Sequence, residues 1–302
     1  MTSDPNSLHS GTPAADCRID APLVRELLRE QHPDLADLTI EKTASGWDNE
    51  MFRLGERLCV RLPRRAAAAS LLLNEQKWLP QLAARLPLLV PAALRVGRPS
   101  ESFRYGWSVI PWLEGIPADM EEPGEDQSVP LAEFLLALHR EAPADAPRNP
   151  FRGCPLAERI SAVEPRLARL QSKAPLIIDA VRSAWQQALS APPDVRHRWI
   201  HGDLHPQNVL VVSGRLRAVI DWGDMAAGDP ATDLASIWML ISGVASRQRA
   251  MDRYGSAFVH GWMRAKGWAV VFGALLLDAG FAGDPRFAAI GERTLRRVAE
   301  GP

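Results

Sequence analysis

The sequence predicts an α+β protein in two lobes: an N-terminal five-stranded antiparallel sheet with a helix, then a mostly helical C-terminal lobe. Three observations carry this reading. Between residues 38 and 110 the chain reads as five short runs separated by turn residues, the pattern of strands and hairpins. From Val129 the period changes, with Leu131, Phe134, Leu135 and Leu138 at i, i+3, i+4 and i+7 on one helical face. A length of 302 residues is long for one core and comfortable for two. We therefore expect a disordered tail over residues 1–18, an N-lobe over 19–112 and a C-lobe over 113–302.

Taken in order, Ala21–Gln31 is predicted helical, with Asp20 as N-cap, Pro22 in the first turn and Leu23, Leu27 and Leu28 on one face. Strands follow at Leu38–Lys42, Glu50–Leu54 and Arg57–Leu62, the last two joined by the tight turn Gly55-Glu56. Ala66–Ala84 is a helix with Leu72, Leu73 and Leu79 spaced for burial. Pro87–Pro91 breaks the chain before two more strands, Ala93–Val96 and Arg104–Ile110. In the second lobe, helices are expected over Val129–Arg140, Leu156–Gln171 (with Pro165 set to kink or split it), Leu176–Leu189, and from Pro230 to about Gly243. Three more are expected at Ala245–Ala265, Trp268–Gly280 and Asp284–Ala299, with Trp262, Trp268, Phe272 and Phe281 in the core. Asp229 and Asp233 read as structural, Asp229 as a cap.

One stretch falls outside these periodicities. Trp199-Ile-His201-Gly-Asp203-Leu-His205-Pro-Gln-Asn208 reads as a polar loop. An apolar strand Val209–Val212, a Ser213-Gly214 turn and a strand Leu216–Ile220 follow, the last delivering Asp221 at its end. Phosphoryl transfer to a hydroxyl needs such a set: a carboxylate to orient and accept from the nucleophile, and hard oxygen ligands for magnesium. His201, Asp203 and His205 alternate, and on a strand could converge on zinc or iron. Pro206 and a position ahead of the strand weigh against that. A plain polar turn accounts for Gly202 and Pro206, but not for two aspartates and an asparagine at this spacing.

His201-Gly-Asp203-Leu-His205-Pro-Gln-Asn208 and Ile220-Asp221-Trp-Gly resemble the two signature motifs of the aminoglycoside phosphotransferase family, over about residues 21–298. That resemblance implies a bilobal protein-kinase-like fold. It also implies transfer of the γ-phosphoryl of ATP or GTP, with Mg2+, to a hydroxyl of a small molecule such as an aminoglycoside-type antibiotic. By it, Asp203 orients the hydroxyl and takes its proton, Asn208 and Asp221 hold magnesium, and His201 braces the loop. Ser45 and Gly46, in the loop Ala44–Asn49, would cover the nucleotide phosphates, and Pro111 C=O and Leu113 N–H would receive the base.

Arg61 departs from the pattern, since kinases of this shape carry a lysine on the third strand. A guanidinium keeps the charge and adds a fork for phosphate; Glu75 is its expected partner. The plain alternatives are a solvated strand-end arginine and an exposed helix glutamate. Val60-Arg61-Leu62-Pro63-Arg64-Arg65 is similar to the macrolide branch of the family, so a macrolide or metabolite kinase is the second reading and a nucleotide-binding pseudokinase the non-enzyme one.

Composition bounds the rest. A net charge of -1, with arginines scattered, gives no electrostatic case for nucleic acid or an anionic membrane. Cys17, Cys59 and Cys154 are far apart and form no C-x-x-C, which suits a reducing cytoplasm. The N-terminus has no apolar signal-peptide core, and Gly267–Leu277 is too short to span a bilayer. Nothing in the chain speaks to oligomeric state.

Overall fold

The computed structural model describes residues 14–171, 175–194, 197–255, 258–281 and 283–301. Of the predicted tail, residues 1–13 lie outside the described residues. Its end is anchored: Asp16 donates its N–H to Arg64 O (2.8 Å) and its carboxylate accepts from Ala66 N (3.1 Å) and the Tyr105 hydroxyl.

In the N-lobe, α1 (Ala21–Gln31) is capped as the sequence indicates, with Asp20 accepting from Leu23 N at 3.1 Å. The strands are β1 (Ile40–Ser45), β2 (Asn49–Leu54), β3 (Leu58–Pro63), β4 (Arg95–Gly97) and β5 (Trp107–Pro111), antiparallel in the order β1-β2-β3-β5-β4. Phe52, Leu54, Val60, Leu62, Trp107 and Val109 pack with Val24, Leu27 and Leu28 of α1 into one core. β1 runs through Ser45, so the loop expected over Ala44–Asn49 shrinks to Gly46–Asp48.

Between β3 and β4, α2 (Ala66–Ala83) sends Leu72 and Glu75 inward at its middle, whereas Leu73, expected to be buried, is 58% exposed. Its last turns carry Trp78, Leu79 and Leu82 into the core of the other lobe. The helix thus ties the two lobes together.

The C-lobe contains β6 (Ile116–Pro117), α3 (Ser128–Leu138), α4 (Ile160–Gln171), α5 (Pro175–Ser190), β7 (Arg198–Ile200), β8 (Val209–Val212), β9 (Arg215–Val219) and β10 (Ala226–Gly228). It ends with α6 (Ala231–Leu234), α7 (Ser236–Leu240), α8 (Val244–Gly255), α9 (Val259–Phe281) and α10 (Pro285–Glu300). Leu131, Phe134, Leu135 and Leu138 are buried as predicted, and Pro165 sits inside an unbroken α4.

Three helix expectations are corrected. The helix after Pro230 is two short pieces ending at Leu240, and both are buried on all sides, so no amphipathic period could set their length. The break expected near residue 266 falls instead at Gly255. Gly267 lies mid-helix because α9 packs closely there, where a Cβ would come within 2.4 Å of Ala188 Cβ and 2.8 Å of Leu156 Cδ1. Phe281 ends α9 at 51% exposure rather than in the core. No helix among the described residues is long and apolar enough to cross a membrane.

The small strands place the site. β8 and β9 form the expected hairpin, with Ser213 (φ 51°) and Gly214 (φ 73°) both left-handed, as a two-residue primed turn requires. β6 pairs with β8 just after the inter-lobe segment, and β7 pairs with β10, so both signature stretches are held on either side by backbone.

Candidate active site

The loop between β7 and β8 is fixed from below by Asp233. This fully buried carboxylate accepts from the N–H groups of His201 (2.6 Å) and Gly202 (2.9 Å) and lies 3.3 Å from His139 Nε2. At Gly202 (φ 86°) a Cβ would stand 2.5 Å from the Asp224 carbonyl oxygen, so the loop closes only with glycine. Asp229 is tied elsewhere, to Arg264 at 2.6 Å and to Ala231 N at 3.0 Å. Both aspartates read as structural are therefore framework, and Asp233 frames the site itself.

His201 is completely buried, and both ring nitrogens have partners. Nδ1 accepts from Asp203 N–H at 3.2 Å, so Nε2 carries the proton and donates to the Ile220 carbonyl at 3.0 Å. No lone pair is left for a metal, which disposes of the zinc reading. Among the described residues no group of three or more His, Cys, Asp and Glu side chains is placed to hold an ion. His201 instead ties the loop to the residue before Asp221.

Asp203 is the centre of the cluster. Its Oδ1 accepts from Arg152 Nη2 at 3.0 Å, while Oδ2 stands 3.4 Å from both His205 Nε2 and Asn208 Nδ2. Burial pushes the carboxyl up, but His205 and Arg152 outweigh it and hold Asp203 well below the usual carboxylate range. The His205 ring is oriented by Gln207 N–H on Nδ1 at 3.2 Å. Asn208 donates its amide N–H to the Asp203 carbonyl at 2.9 Å, which leaves its Oδ1 as the hard-oxygen donor.

Asp221 follows β9 at φ 60°, with its side chain 63% exposed. Three residues on, the Asp224 carboxylate accepts from Asn149 Nδ2 at 2.6 Å; burial raises its pKa, with Arg152 opposing.

Across from this loop, Arg61 and Glu75 pair face to face. Nη1–Oε2 is 2.5 Å and Nη2–Oε1 is 2.9 Å, and both side chains are buried. The remaining edge of the guanidinium meets the Asn49 amide, assigned with its oxygen toward these donors because a nitrogen there would face donors alone. The oxygen then accepts from Nη2 at 3.0 Å and Nε at 3.1 Å, and Nη2 stands 3.9 Å from Asp221. Burial raises the Glu75 carboxyl against the pull of Arg61. Burial also works against the Arg61 charge, but Glu75 and Asp221 raise it, and the two-point contact identifies an ion pair. Arg61 is thus neither solvated nor free to offer phosphate the fork that the sequence suggests.

A cleft of about 520 Å³ opens beside Arg61 and Asp221. Its apolar walls include Met51, Cys59, Ile110, Trp112 and Leu210, and its polar end Asp48, Asn49, Arg61 and Asp221. Cys59 is part of the wall: burial pushes its thiol up to about 12. Pro111 and Leu113 both line the cleft, and the intervening Trp112 N–H is taken by Arg57 O at 2.8 Å. Gly46 lines it too, but its N–H donates to Asn49 O at 2.9 Å, so that amide closes the turn rather than facing a ligand. The turn rests on Arg64 and Arg65, the latter 2.7 Å from Asp48. Ser45 ends β1 opposite Glu50, and its side chain lies outside the described residues.

A sequence profile described as the phosphotransferase enzyme family matches residues 39–268. The chain belongs to that family. Among curated proteins, viomycin phosphotransferase of Streptomyces vinaceus is 41% identical over 70 residues, 21% of this chain; the match reaches only about a quarter of that protein's length, 24%. Among solved structures, the GDP and kanamycin complex of APH(2")-IIia superposes with a TM-score of 0.56 at 20% identity, covering 91% of this chain and 97% of the other. The apoenzyme of macrolide 2'-phosphotransferase MphH from Brachybacterium faecium gives 0.56 at 22% identity, covering 92% and 97%. These likenesses establish the kinase-like fold.

The sequence did not single out several residues that the structure brings to this candidate site. Asn49, Arg152, Asp224 and Asn149 lie outside the two signature stretches or at their rim. Arg152 sits in the proline-rich stretch 142–155, between two predicted helices, and no local signal marks it.

Proposed function

We propose that this phosphotransferase moves the γ-phosphoryl of ATP or GTP to a hydroxyl of a small molecule. Aminoglycoside-type antibiotics head the acceptors to be tried and macrolides follow. The observation that carries the reading is the hydrogen-bonded unit of Asp203, Asn208 and His201, joined through Ile220 to Asp221 at the polar end of the cleft. In it Asp203, held ionised, hydrogen-bonds the acceptor hydroxyl, fixes the angle of attack and receives its proton. Asn208 Oδ1 and the exposed Asp221 carboxylate are hard oxygen donors on segments joined by the Ile220 N–H to Asn208 O bond. They fit Mg2+, which when bound supplies charge neutralisation on the phosphate oxygens.

The base lies between Met51, Cys59 and Leu210, with Pro111 C=O and Leu113 N–H at its edge. Among the described residues the turn leaves the Trp47 and Asp48 N–H groups without a backbone partner, so these, rather than the Gly46 amide, face the phosphates. Arg61, fixed by Glu75 and Asn49, presents positive charge there rather than a free fork. The partner is a small molecule, not nucleic acid or membrane, and reduced cysteines with a nucleotide donor suit the cytoplasm.

ADP or GDP release and product mass should be measured with kanamycin, gentamicin, streptomycin, viomycin and a macrolide. A mass gain of one phosphoryl group on at least one acceptor is expected, and Asp203→Asn should lower kcat by about 10²–10⁴-fold with nucleotide Kd within twofold of wild type. Nucleotide binding without phosphorylation of any hydroxylated acceptor would instead favour the pseudokinase.

A further inference from the structure

We propose that Arg152 is a positioning residue for Asp203, and that the segment Asn149–Gly153 exists to hold it there. The inference rests on the reading of Asp203 given above. Arg152 Nη2 donates to Asp203 Oδ1 at 3.0 Å, and the guanidinium lies over the Phe272 ring of α9, 4.9 Å from its centroid. The side chain is only 13% exposed, so the cation is held against the carboxylate and cannot exchange freely with water.

The segment is built, not merely packed. Asn149 Oδ1 accepts from the N–H groups of Phe151 (2.9 Å) and Arg152 (3.1 Å), while its Nδ2 donates to Asp224 Oδ1 at 2.6 Å. Gly153 donates to Thr232 Oγ1 at 3.0 Å, accepts from Asp229 N at 3.1 Å, and sits at φ 66°. A Cβ there would stand 2.6 Å from Ile200 Cδ1 and 2.9 Å from Gly228 Cα. One five-residue segment is therefore pinned to β7, β10, α6 and the residue three beyond Asp221, and from within it Arg152 delivers a guanidinium to Asp203.

The consequence is geometric. Arg152 on Oδ1, with His205 and Asn208 on Oδ2, fixes the plane of the Asp203 carboxylate and so the direction in which an acceptor hydroxyl can donate to it. It also sets a positive charge beside a carboxylate that must approach a polyanionic phosphate chain.

The test uses full-length protein, and follows both acceptor phosphorylation and acceptor-free nucleotide hydrolysis, since water in the acceptor's place is aligned by the same carboxylate. Arg152→Met should lower kcat for both by about 10²-fold, the order expected of a misplaced catalytic group, with nucleotide Kd unchanged. Arg152→Lys should recover part of the loss, and millimolar guanidinium should partly rescue Arg152→Ala but not Asp203→Asn. A melting temperature for each variant shows that the protein measured is folded; should Arg152→Met fail to fold, Arg152→Lys and guanidinium rescue of Arg152→Ala carry the test. A folded Arg152→Met with wild-type kcat, in a protein that Asp203→Asn inactivates, overturns the inference alone. Full activity in Asp203→Asn overturns the reading beneath it.

Discussion

Two arginine–carboxylate pairs serve the site, one beside the cleft and one under the loop that carries Asp203, and they are built for different work. Arg61–Glu75 joins β3 to α2 with both oxygens engaged, both side chains buried and Asn49 closing the remaining edge. Arg152–Asp203 joins a loop to a loop through one contact, and Asp203 keeps 23% of its side chain exposed. The first pair commits both hydrogen-bonding edges of its guanidinium to protein partners; the second holds a carboxylate still while leaving it within reach of a ligand. The contrast separates a joint from a working group, though both would be counted as salt bridges.

The sharpest way to break the comparison is to remove one member of the joint. Arg61→Ala leaves Glu75 buried without its counter-charge, which typically costs ~3–5 kcal/mol. Chemical unfolding should show that loss, and nucleotide affinity should fall with it because the polar end of the cleft collapses. Arg61→Lys should keep the charge but lose the fork and the Asn49 contacts, and fall between the two. The double variant Arg61→Met with Glu75→Met should recover most of the stability. If Arg61→Ala unfolds like wild type yet binds nucleotide poorly, Arg61 is a ligand after all and the joint reading fails.

That the two pairs differed in legibility follows from where their parts lie in sequence. Arg61 and Glu75 stand on a strand and the helix that follows it, so the family resemblance pointed to both. Asp203, Asn208 and Asp221 were legible because one hairpin carries them all. Arg152 was not: its position depends on an asparagine turn, a left-handed glycine and an aromatic face on α9, more than a hundred residues away in sequence. The same physics explains the misplaced helix boundary. The sequence placed a break at Lys266–Gly267, but Gly267 is there for close packing inside α9, which only the third dimension reveals. The short strands β6, β7 and β10 went unseen because two or three residues carry no measurable alternation.

A milder perturbation acts on the loop pair through its support. Gly153→Ala forces an L-residue into a left-handed conformation and brings its Cβ within 2.9 Å of Gly228 Cα, which is backbone and cannot step aside. The expected cost is about 1–3 kcal/mol in unfolding free energy. The comparison is sharpened by the second readout: kcat should fall while nucleotide affinity holds, since the strain lies under Arg152 and not under Arg61. Equal losses in both would mean the two pairs are one unit.

The smallest effect is expected behind the loop pair, at Asp224. Burial raises its carboxyl pKa, so folding draws a proton toward it. A group of that kind leaves stability intact below its unfolded pKa and erodes it as pH rises through the folded value. Asp224→Asn removes the charge while keeping an oxygen for Asn149 Nδ2, which stands 2.6 Å from Oδ1. The variant should therefore melt slightly higher than wild type at neutral pH. The gap should close as pH falls toward the ordinary aspartate value of about 3.9, where both proteins carry a neutral side chain. Calorimetric melting temperatures across that range decide it. A variant that melts lower at neutral pH would show that Asp224 contributes through its charge, as a partner of Arg152, and that the cluster around Asp203 is held by two carboxylates rather than one.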